Sequence, residues 1–160
     1  MKHNKDLNLL KIKVKNEEET LALAESLARQ LHPSSVIRLE GTLGAGKTTF
    51  TKGLARGLNI QRVIKSPTYT IIREYTQGAL PLYHIDLYRL EDGGTEDLGL
   101  EEYLYGDGVT VIEWGSVAEE EMPEEYLMVK LNLLDDPGQR EIEFQAKGPV
   151  YQELLEKLDI

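Results

Sequence analysis

The sequence predicts a mixed, three-layer α/β sheet with flanking helices, and three observations carry this prediction. Runs rich in β-branched residues alternate with helix-like runs, which is typical of βα units. A glycine-rich loop lies directly between one such strand and one such helix. Further strand-like runs are separated by short turn sequences, which indicates hairpins. At 160 residues the chain is large enough to bury a core, so we expect one domain over residues 1–160.

The first predicted elements are a short strand at 11–14 and a helix within 15–32. Asn16 is a suitable N-cap, Glu19 follows three residues later, and Pro33 marks the end of the helix. Apolar residues recur at helical spacing, which predicts one buried face: Leu21, Ala24, Ala28 and Leu31.

A β-branched strand at 35–40 leads into the glycine loop, and a second helix is predicted at 47–58. Strands at 70–75 and 80–87 are predicted to form a hairpin, because a Gln-Gly pair suits the turn between them. The remaining elements follow in order: a polar, glycine-rich loop at 91–99, a short helix at 100–105, a buried strand at 109–114, strands at 126–134 and 140–146 joined by a turn at 135–138, and a closing helix from Pro149.

The charge balance disfavours direct binding of nucleic acid by this chain alone. It has 18 basic and 28 acidic residues, a net charge of −10, whereas duplex binding relies on Lys and Arg neutralising phosphates. A local phosphate site remains possible, because such a site uses backbone dipoles rather than net charge. The chain has no cysteine, no signal-like N-terminus and no apolar run near the ~20 residues of a membrane span. We therefore expect a cytoplasmic protein without a membrane partner.

Residues 41–48 match the phosphate-loop pattern G-x-x-x-x-G-K-[ST] in full, with a predicted strand before and a helix after. Glycines allow several backbone N–H groups to turn inward, and the helix N-terminus adds the positive end of its dipole. Lys47 is expected to reach the β- and γ-phosphates and the Thr48 hydroxyl to ligate Mg²⁺. The predicted nucleotide-binding residues of this P-loop NTPase-like fold are Gly41, Gly44, Ala45, Gly46, Lys47, Thr48 and Thr49.

Two acidic residues are candidates for the second element that such a site needs, an acid at a strand end that holds Mg²⁺ or orients the attacking water. Glu113 closes the buried run at 109–112, and Asp86 follows the strand-like run at 82–85. The predicted catalytic residues are therefore Glu113, Asp86 and Lys47, and the predicted metal ligands are Thr48, Glu113 and Asp86. A solvated strand-end role is the alternative for either acid.

The guanine-specifying motif Asn-Lys-x-Asp is absent, which favours adenine and predicts ATP and Mg²⁺ as the bound cofactors. Thr68, in the sequence Ser-Pro-Thr, lies where GTPases carry a switch threonine, although such a sequence is also typical of a plain turn. His84 is either catalytic or a hydrogen-bonded structural histidine. Trp114 is most simply a core residue, and a partner-facing or gating role is the alternative.

The segments GTLGAGKTT, KSPTYT, LYHIDLYRL, DLGLEEYL and VIEW together resemble the TsaE family, also called YjeE or YdiB, over about residues 15–145. The resemblance implies a small ATPase that is slow alone and is required for threonylcarbamoyladenosine modification of tRNA at position 37. It also implies docking on a complex of TsaD with TsaB, so that tRNA is met only through these partners.

By the same resemblance, Lys47 and Thr48 would bind phosphate and Mg²⁺, and Thr68 would be the switch-like residue bound to the nucleotide. Asp86 would be the acid near the metal and nucleotide, and Glu113 a metal-linked or water-activating acid. Trp114 would match the family's tryptophan beside that acid.

One loop residue departs from the family pattern, and two other functions remain open. The family usually has an acidic residue where this chain has Thr42, so the role of that acid has no counterpart here. A small-molecule or nucleotide kinase is one alternative, although the loop at 91–99 is acidic rather than an arginine-rich lid. A nucleotide-gated binding module with vestigial hydrolysis is the other.

Overall fold

The computed structural model describes residues 8–42, 44–61, 64, 71–90 and 94–158. Along the chain, the strands and α-helices are β1 (Leu9–Val14), α1 (Glu17–Ala28), β2 (Val36–Gly41), α2 (Lys47–Gly57), β3 (Ile72–Tyr75), β4 (Leu82–Asp86), α3 (Leu100–Leu104), β5 (Val109–Glu113), β6 (Tyr126–Leu133), β7 (Arg140–Lys147) and α4 (Pro149–Lys157). Short 3₁₀ segments cover Tyr88–Leu90, Thr95–Asp97 and Gly115–Glu121.

All seven of these strands form one sheet in the order β1-β7-β6-β2-β5-β4-β3. The four strands β6, β2, β5 and β4 run parallel to their neighbours in this set. Antiparallel pairs extend the sheet on both sides, with β7 and β1 beyond β6, and β3 beyond β4. The predicted α/β class is therefore confirmed, and so are both predicted hairpins.

The core lies on both faces of the sheet, which makes three layers. Successive side chains of a strand point to opposite faces, and β2 shows this directly. Its Ile37 and Leu39 belong to the larger hydrophobic cluster, with residues of α1, α2 and α4. Its Val36 belongs to the smaller cluster, with Leu100 and Leu104 of α3.

Helix α1 begins as predicted and ends earlier than predicted. The Asn16 side chain accepts a hydrogen bond from the Glu19 N–H at 2.9 Å, which is the expected N-cap. The helix ends at Ala28, whereas the sequence predicted it to continue to residue 32. Residues that precede a proline disfavour the helical region, and Ser34 just beyond Pro33 has a φ of 69°. The last predicted turn is therefore replaced by irregular turns.

Helices α1 and α2 pack so closely that a glycine is required between them. A Cβ at Gly53 would lie 2.6 Å from the Ala24 Cβ and 2.6 Å from the Leu21 carbonyl oxygen. This contact explains a glycine inside a helix, where it costs roughly 1 kcal/mol relative to alanine. It also fixes α2, whose first turn carries Lys47, against the rest of the core.

The predicted loop at 91–99 contains a short 3₁₀ turn at Thr95–Asp97, and residues 91–93 of it lie outside the described residues. In the described parts of the chain, no helix is long and apolar enough to cross a membrane.

Candidate nucleotide-binding site

The parallel strands bring the glycine loop and both predicted acids to one edge of the sheet. Gly41 ends β2, Asp86 ends β4 and Glu113 ends β5. In the strand register, Glu113 lies beside Leu39 of β2 on one side and beside Asp86 on the other. Carboxyl ends of parallel strands are where ligands bind in open α/β sheets. Both acids end strands as predicted, and their catalytic and metal-binding roles stay predictions.

The loop adopts backbone angles that only glycine accepts without strain at two positions. Gly44 has a φ of 82° and Gly46 a φ of 104°. The Ala45 N–H donates to the Thr42 carbonyl oxygen at 3.0 Å, which closes a turn within the loop. The Gly46 carbonyl accepts from the Phe50 N–H at 2.8 Å, as the first hydrogen bond of α2. Thr42 thus contributes its backbone to the loop, while its side chain is exposed.

Lys47, Thr48 and Thr49 form the first turn of α2, and all three are half-buried. The N-terminus of an α-helix carries unpaired N–H groups and a partial positive charge, so this turn suits an anion. Thr68 lies outside the described residues, so its predicted role stays a prediction.

Glu113 is the centre of a chain of three polar side chains. Its Oε1 lies 3.2 Å from the Lys47 Nζ, and its Oε2 lies 2.7 Å from the His84 Nε2. Glu113 is 6% exposed and His84 is 0% exposed. Because a carboxylate only accepts, the Nε2–H of His84 is the donor in this contact.

The charge state of Glu113 follows from these neighbours. Burial on its own raises the pKa of Glu113, since the charged form loses solvent. The hydrogen bond and attraction of His84, followed by the attraction of Lys47, outweigh burial and leave the pKa of Glu113 below its ordinary value. Glu113 is therefore held as a carboxylate.

Asp86 lies beside Glu113 but in a different environment. Burial, together with the charge of Glu113, raises the pKa of Asp86, although the hydrogen bond from the Tyr88 N–H at 3.0 Å opposes the shift. A divalent cation here would stabilise the charged form of Asp86 against both effects, burial and the nearby charge of Glu113, because it would neutralise the two carboxylates. The side chains that could bind it offer only oxygen atoms, the ligand type that Mg²⁺ prefers: Thr48, Asp86 and Glu113. In nucleotide sites, Mg²⁺ takes few ligands from the protein and others from the phosphates. Within the described ranges, no group of three or more His, Cys, Asp or Glu side chains forms a metal site by itself.

Trp114 is not a core residue, so its simplest interpretation from the sequence is wrong. The residue is 41% exposed, and its ring contacts the ring of Tyr88, with centroids 4.9 Å apart. Its φ of 61° is unusual for a bulky residue, and this left-handed geometry turns the side chain out at the end of β5. Trp114 and Lys47 line a cavity of about 210 Å³, together with Gly41 and Ser116.

Two contacts of this site were not expected from the sequence. His84 is indeed hydrogen-bonded, but its partner is the candidate catalytic acid Glu113. Arg140 at the start of β7 donates to the carbonyl oxygens of Ala45 and Gly44, at 3.1 Å each. No sequence signal marks Arg140, because its partners are backbone atoms about 95 positions away in the chain.

The fold and the arrangement of the loop define an α/β protein with a P-loop-like fold. A family model described as "Threonylcarbamoyl adenosine biosynthesis protein TsaE" matches residues 14–142. The chain therefore belongs to the TsaE family, as the sequence motifs predicted.

Individual relatives agree with this membership. The chain is 52% identical to the tRNA threonylcarbamoyladenosine biosynthesis protein TsaE of Bacillus subtilis over 149 residues, which covers 93% of each chain. It is 46% identical to the protein of the same name from Nostoc over 151 residues, or 92% of each chain. The crystal structure of Bacillus subtilus YdiB matches with a TM-score of 0.84 at 47% identity, and covers 94% of this chain and 93% of that one.

Proposed function

We propose that this protein is a Mg²⁺-dependent ATPase that supports the threonylcarbamoyladenosine modification of tRNA. The observation that carries the proposal is the contact of Lys47 with Glu113 beside the glycine loop, in a chain of the TsaE family. The names of the relatives from Bacillus subtilis and Nostoc, both biosynthesis proteins for this tRNA modification, support the biological setting.

The ATP phosphates would bind the N–H groups of the glycine loop and of the first turn of α2. Lys47 would break its ion pair with Glu113 in order to reach the β- and γ-phosphates, so nucleotide binding and release of Glu113 are coupled. His84 would continue to hold the Glu113 carboxylate through its second oxygen. The freed oxygen of Glu113 would then be available to orient the attacking water, whether that water is free or bound to the metal.

The residues that would hold Mg²⁺ are Thr48, Asp86 and Glu113. The ion would neutralise negative charge on the phosphates and on the two carboxylates. The raised pKa of Asp86, caused first by burial, fits a carboxylate whose charge lacks full compensation within the chain.

We further propose that a complex of TsaD with TsaB is the partner, as membership of the family suggests. The net charge of −10 supports indirect handling of tRNA, because an acidic surface repels phosphates. ATP turnover would then act on the partner complex rather than on the tRNA.

A phosphate-release assay with Mg-ATP, run with and without purified TsaD and TsaB, tests this function. We expect slow turnover by the chain alone and a several-fold rise with both partners. Magnesium removal by chelation should stop turnover in both cases. No stimulation by the partners, together with phosphoryl transfer to an added small-molecule acceptor, would contradict the proposal and favour a kinase.

A further inference from the structure

Arg140 contacts the glycine loop from the start of β7, an antiparallel strand that lies two positions from β2 in the sheet. Its Nε donates to the Ala45 carbonyl oxygen at 3.1 Å, and one terminal nitrogen donates to the Gly44 carbonyl oxygen at 3.1 Å. The other terminal nitrogen donates to the carbonyl of its own neighbour, Gln139, at 2.9 Å. The two loop contacts come from one edge of the planar guanidinium group, which is a geometry that arginine supplies and lysine does not.

These contacts determine where two loop N–H groups point. The described part of the chain has no cis peptide bond, and in a trans peptide the carbonyl oxygen and the next N–H lie on opposite sides. By holding the Gly44 oxygen, Arg140 directs the Ala45 N–H away from itself, toward the Thr42 carbonyl oxygen at 3.0 Å. By holding the Ala45 oxygen, it directs the Gly46 N–H away from itself as well.

The loop needs such a restraint because its own side chains do little to restrict the backbone. A Cβ placed at Gly44 would meet nothing within 4 Å, so no packing contact restricts this residue there. Glycine also loses the most backbone freedom of any residue when it is ordered. A loop that is ordered before phosphates arrive does not lose this entropy on binding, and its affinity is higher for that reason.

We propose that Arg140 is a positioning residue for the phosphate-binding loop. It orders the peptides of Gly44 and Ala45, so that the Ala45 N–H closes the turn with the Thr42 carbonyl oxygen and the Gly46 N–H is set for the phosphates of a nucleotide. Arg140 itself contacts the loop carbonyls, on the side opposite to these amides. This inference rests on the proposed function, because it assigns Arg140 a role in the same nucleotide site.

Three variants test the inference through the dissociation constant of Mg-ATP, measured by calorimetric titration. Arg140→Met keeps the apolar stem and removes every donor, and we expect it to weaken binding about tenfold. Arg140→Lys keeps the charge and should recover part of the lost affinity. Arg56→Met is the matched control, because it removes the same charge from an exposed side chain of α2 that pairs with Glu25. Its affinity should stay within about twofold of wild type.

Two further readouts separate positioning from a general loss of folding. With glycine-selective ¹⁵N labelling, Arg140→Met should shift or broaden the amide signals of Gly44 and Gly46, while the unfolding midpoint changes little. In the wild-type chain, NMR should detect a coupling across the hydrogen bond between the Arg140 Nε and the Ala45 carbonyl carbon. This last measurement decides the contact even where both Arg140 variants fail to fold.

The possible results distinguish a failure of this inference from a failure of the proposed function. Unchanged affinity of Arg140→Met, with wild type binding ATP, overturns the inference and leaves the proposed function standing. Absence of the coupling in wild type overturns it as well. A wild-type chain that does not bind Mg-ATP overturns the proposed function and this inference with it.

Discussion

At the scale of single residues, Glu113 has two different partners on its two oxygens. Lys47 belongs to the nucleotide loop, whereas His84 is buried in the sheet. Only the first of these partners would move when phosphates bind. The carboxylate can therefore change its contacts without leaving its place, which suits a residue that must be oriented before and after binding.

The roles proposed for Lys47 and Glu113 predict different effects of their substitution on Mg-ATP binding and on turnover. Lys47→Ala should weaken Mg-ATP binding by about 10–100-fold, because it removes a charge-assisted hydrogen bond to the phosphates. Glu113→Gln should bind Mg-ATP within a few-fold of wild type and lose about 100-fold or more in turnover, as for loss of a general base. Emission of Trp114, the only tryptophan, provides a binding signal beside Lys47.

A matched control for this pair is Lys52→Ala, which removes a lysine from the exposed face of the same helix. It should change neither the affinity for Mg-ATP nor the rate of turnover. Equal loss of binding in Lys47→Ala and Glu113→Gln would show that Glu113 acts mainly through the metal or through structure.

The lowered pKa of Glu113 predicts a pH-dependent share of the stability. A carboxyl whose pKa is lower in the folded state stabilises the fold above its unfolded pKa, near 4.5, and this share is lost as pH falls through the folded pKa. Glu113→Gln removes the titration. Between about pH 7 and about pH 3, wild type should therefore lose more unfolding free energy than Glu113→Gln. Denaturant unfolding at several pH values measures this difference, and parallel losses in the two proteins would contradict it.

At the scale of elements, the close packing of α1 on α2 holds the helix whose N-terminus would meet the phosphates of the proposed nucleotide. The contact depends on small residues, since Gly53 lies against Ala24 and Gly57 lies against Ala28. A displacement of α2 would move Lys47 relative to Glu113. We therefore expect stability and nucleotide binding to be linked at this contact.

Gly53→Ala should destabilise the fold by about 1–3 kcal/mol, because its Cβ would lie 2.6 Å from Ala24 Cβ and from a main-chain oxygen. In an exposed helix the same change would stabilise by roughly 1 kcal/mol, so the expected sign depends on the packing. Urea unfolding measures the effect. Gly53→Ser should be at least as destabilising, and a stabilised Gly53→Ala chain would show that the two helices separate easily.

At the scale of the whole molecule, the order of the sheet assembles the site. Strand β2 lies between β5 and β6, and β4 lies beyond β5. This order places the loop after β2 next to Glu113 and places Asp86 one strand further. Strand β7, antiparallel and two strands from β2, begins at the same edge and brings Arg140 to the loop.

The net charge makes a prediction for tRNA that belongs to the whole chain. With 28 acidic and 18 basic residues, the protein alone should show no saturable binding of tRNA at physiological salt. Binding should be seen once TsaD and TsaB are added. A gel-shift series with each component omitted in turn measures this, and a tight, salt-sensitive complex of tRNA with this chain alone would contradict indirect handling.

The sequence by itself determined the class of fold, the glycine loop between a strand and a helix, and the two acids at strand ends, and its motifs placed the chain in the TsaE family. These features are local: a strand–glycine–helix pattern, a hairpin turn and an acid after a buried run are each contained within a short window. The helix α1 was predicted too long at its C-terminal end. This error is also local, because the end of a helix depends on the turns that follow it.

Only the tertiary structure decided which side chains meet. His84 and Glu113 are 29 positions apart, and Arg140 lies about 95 positions from the loop that it contacts. Such pairs follow from strand order and register, which no short window contains. Trp114, the only tryptophan, was most simply interpreted as a core residue at the end of the predicted buried strand 109–114. Its left-handed backbone instead directs the side chain toward Tyr88 and the cavity beside Lys47. The edge of the folded sheet sets this backbone conformation, and a short window of sequence does not.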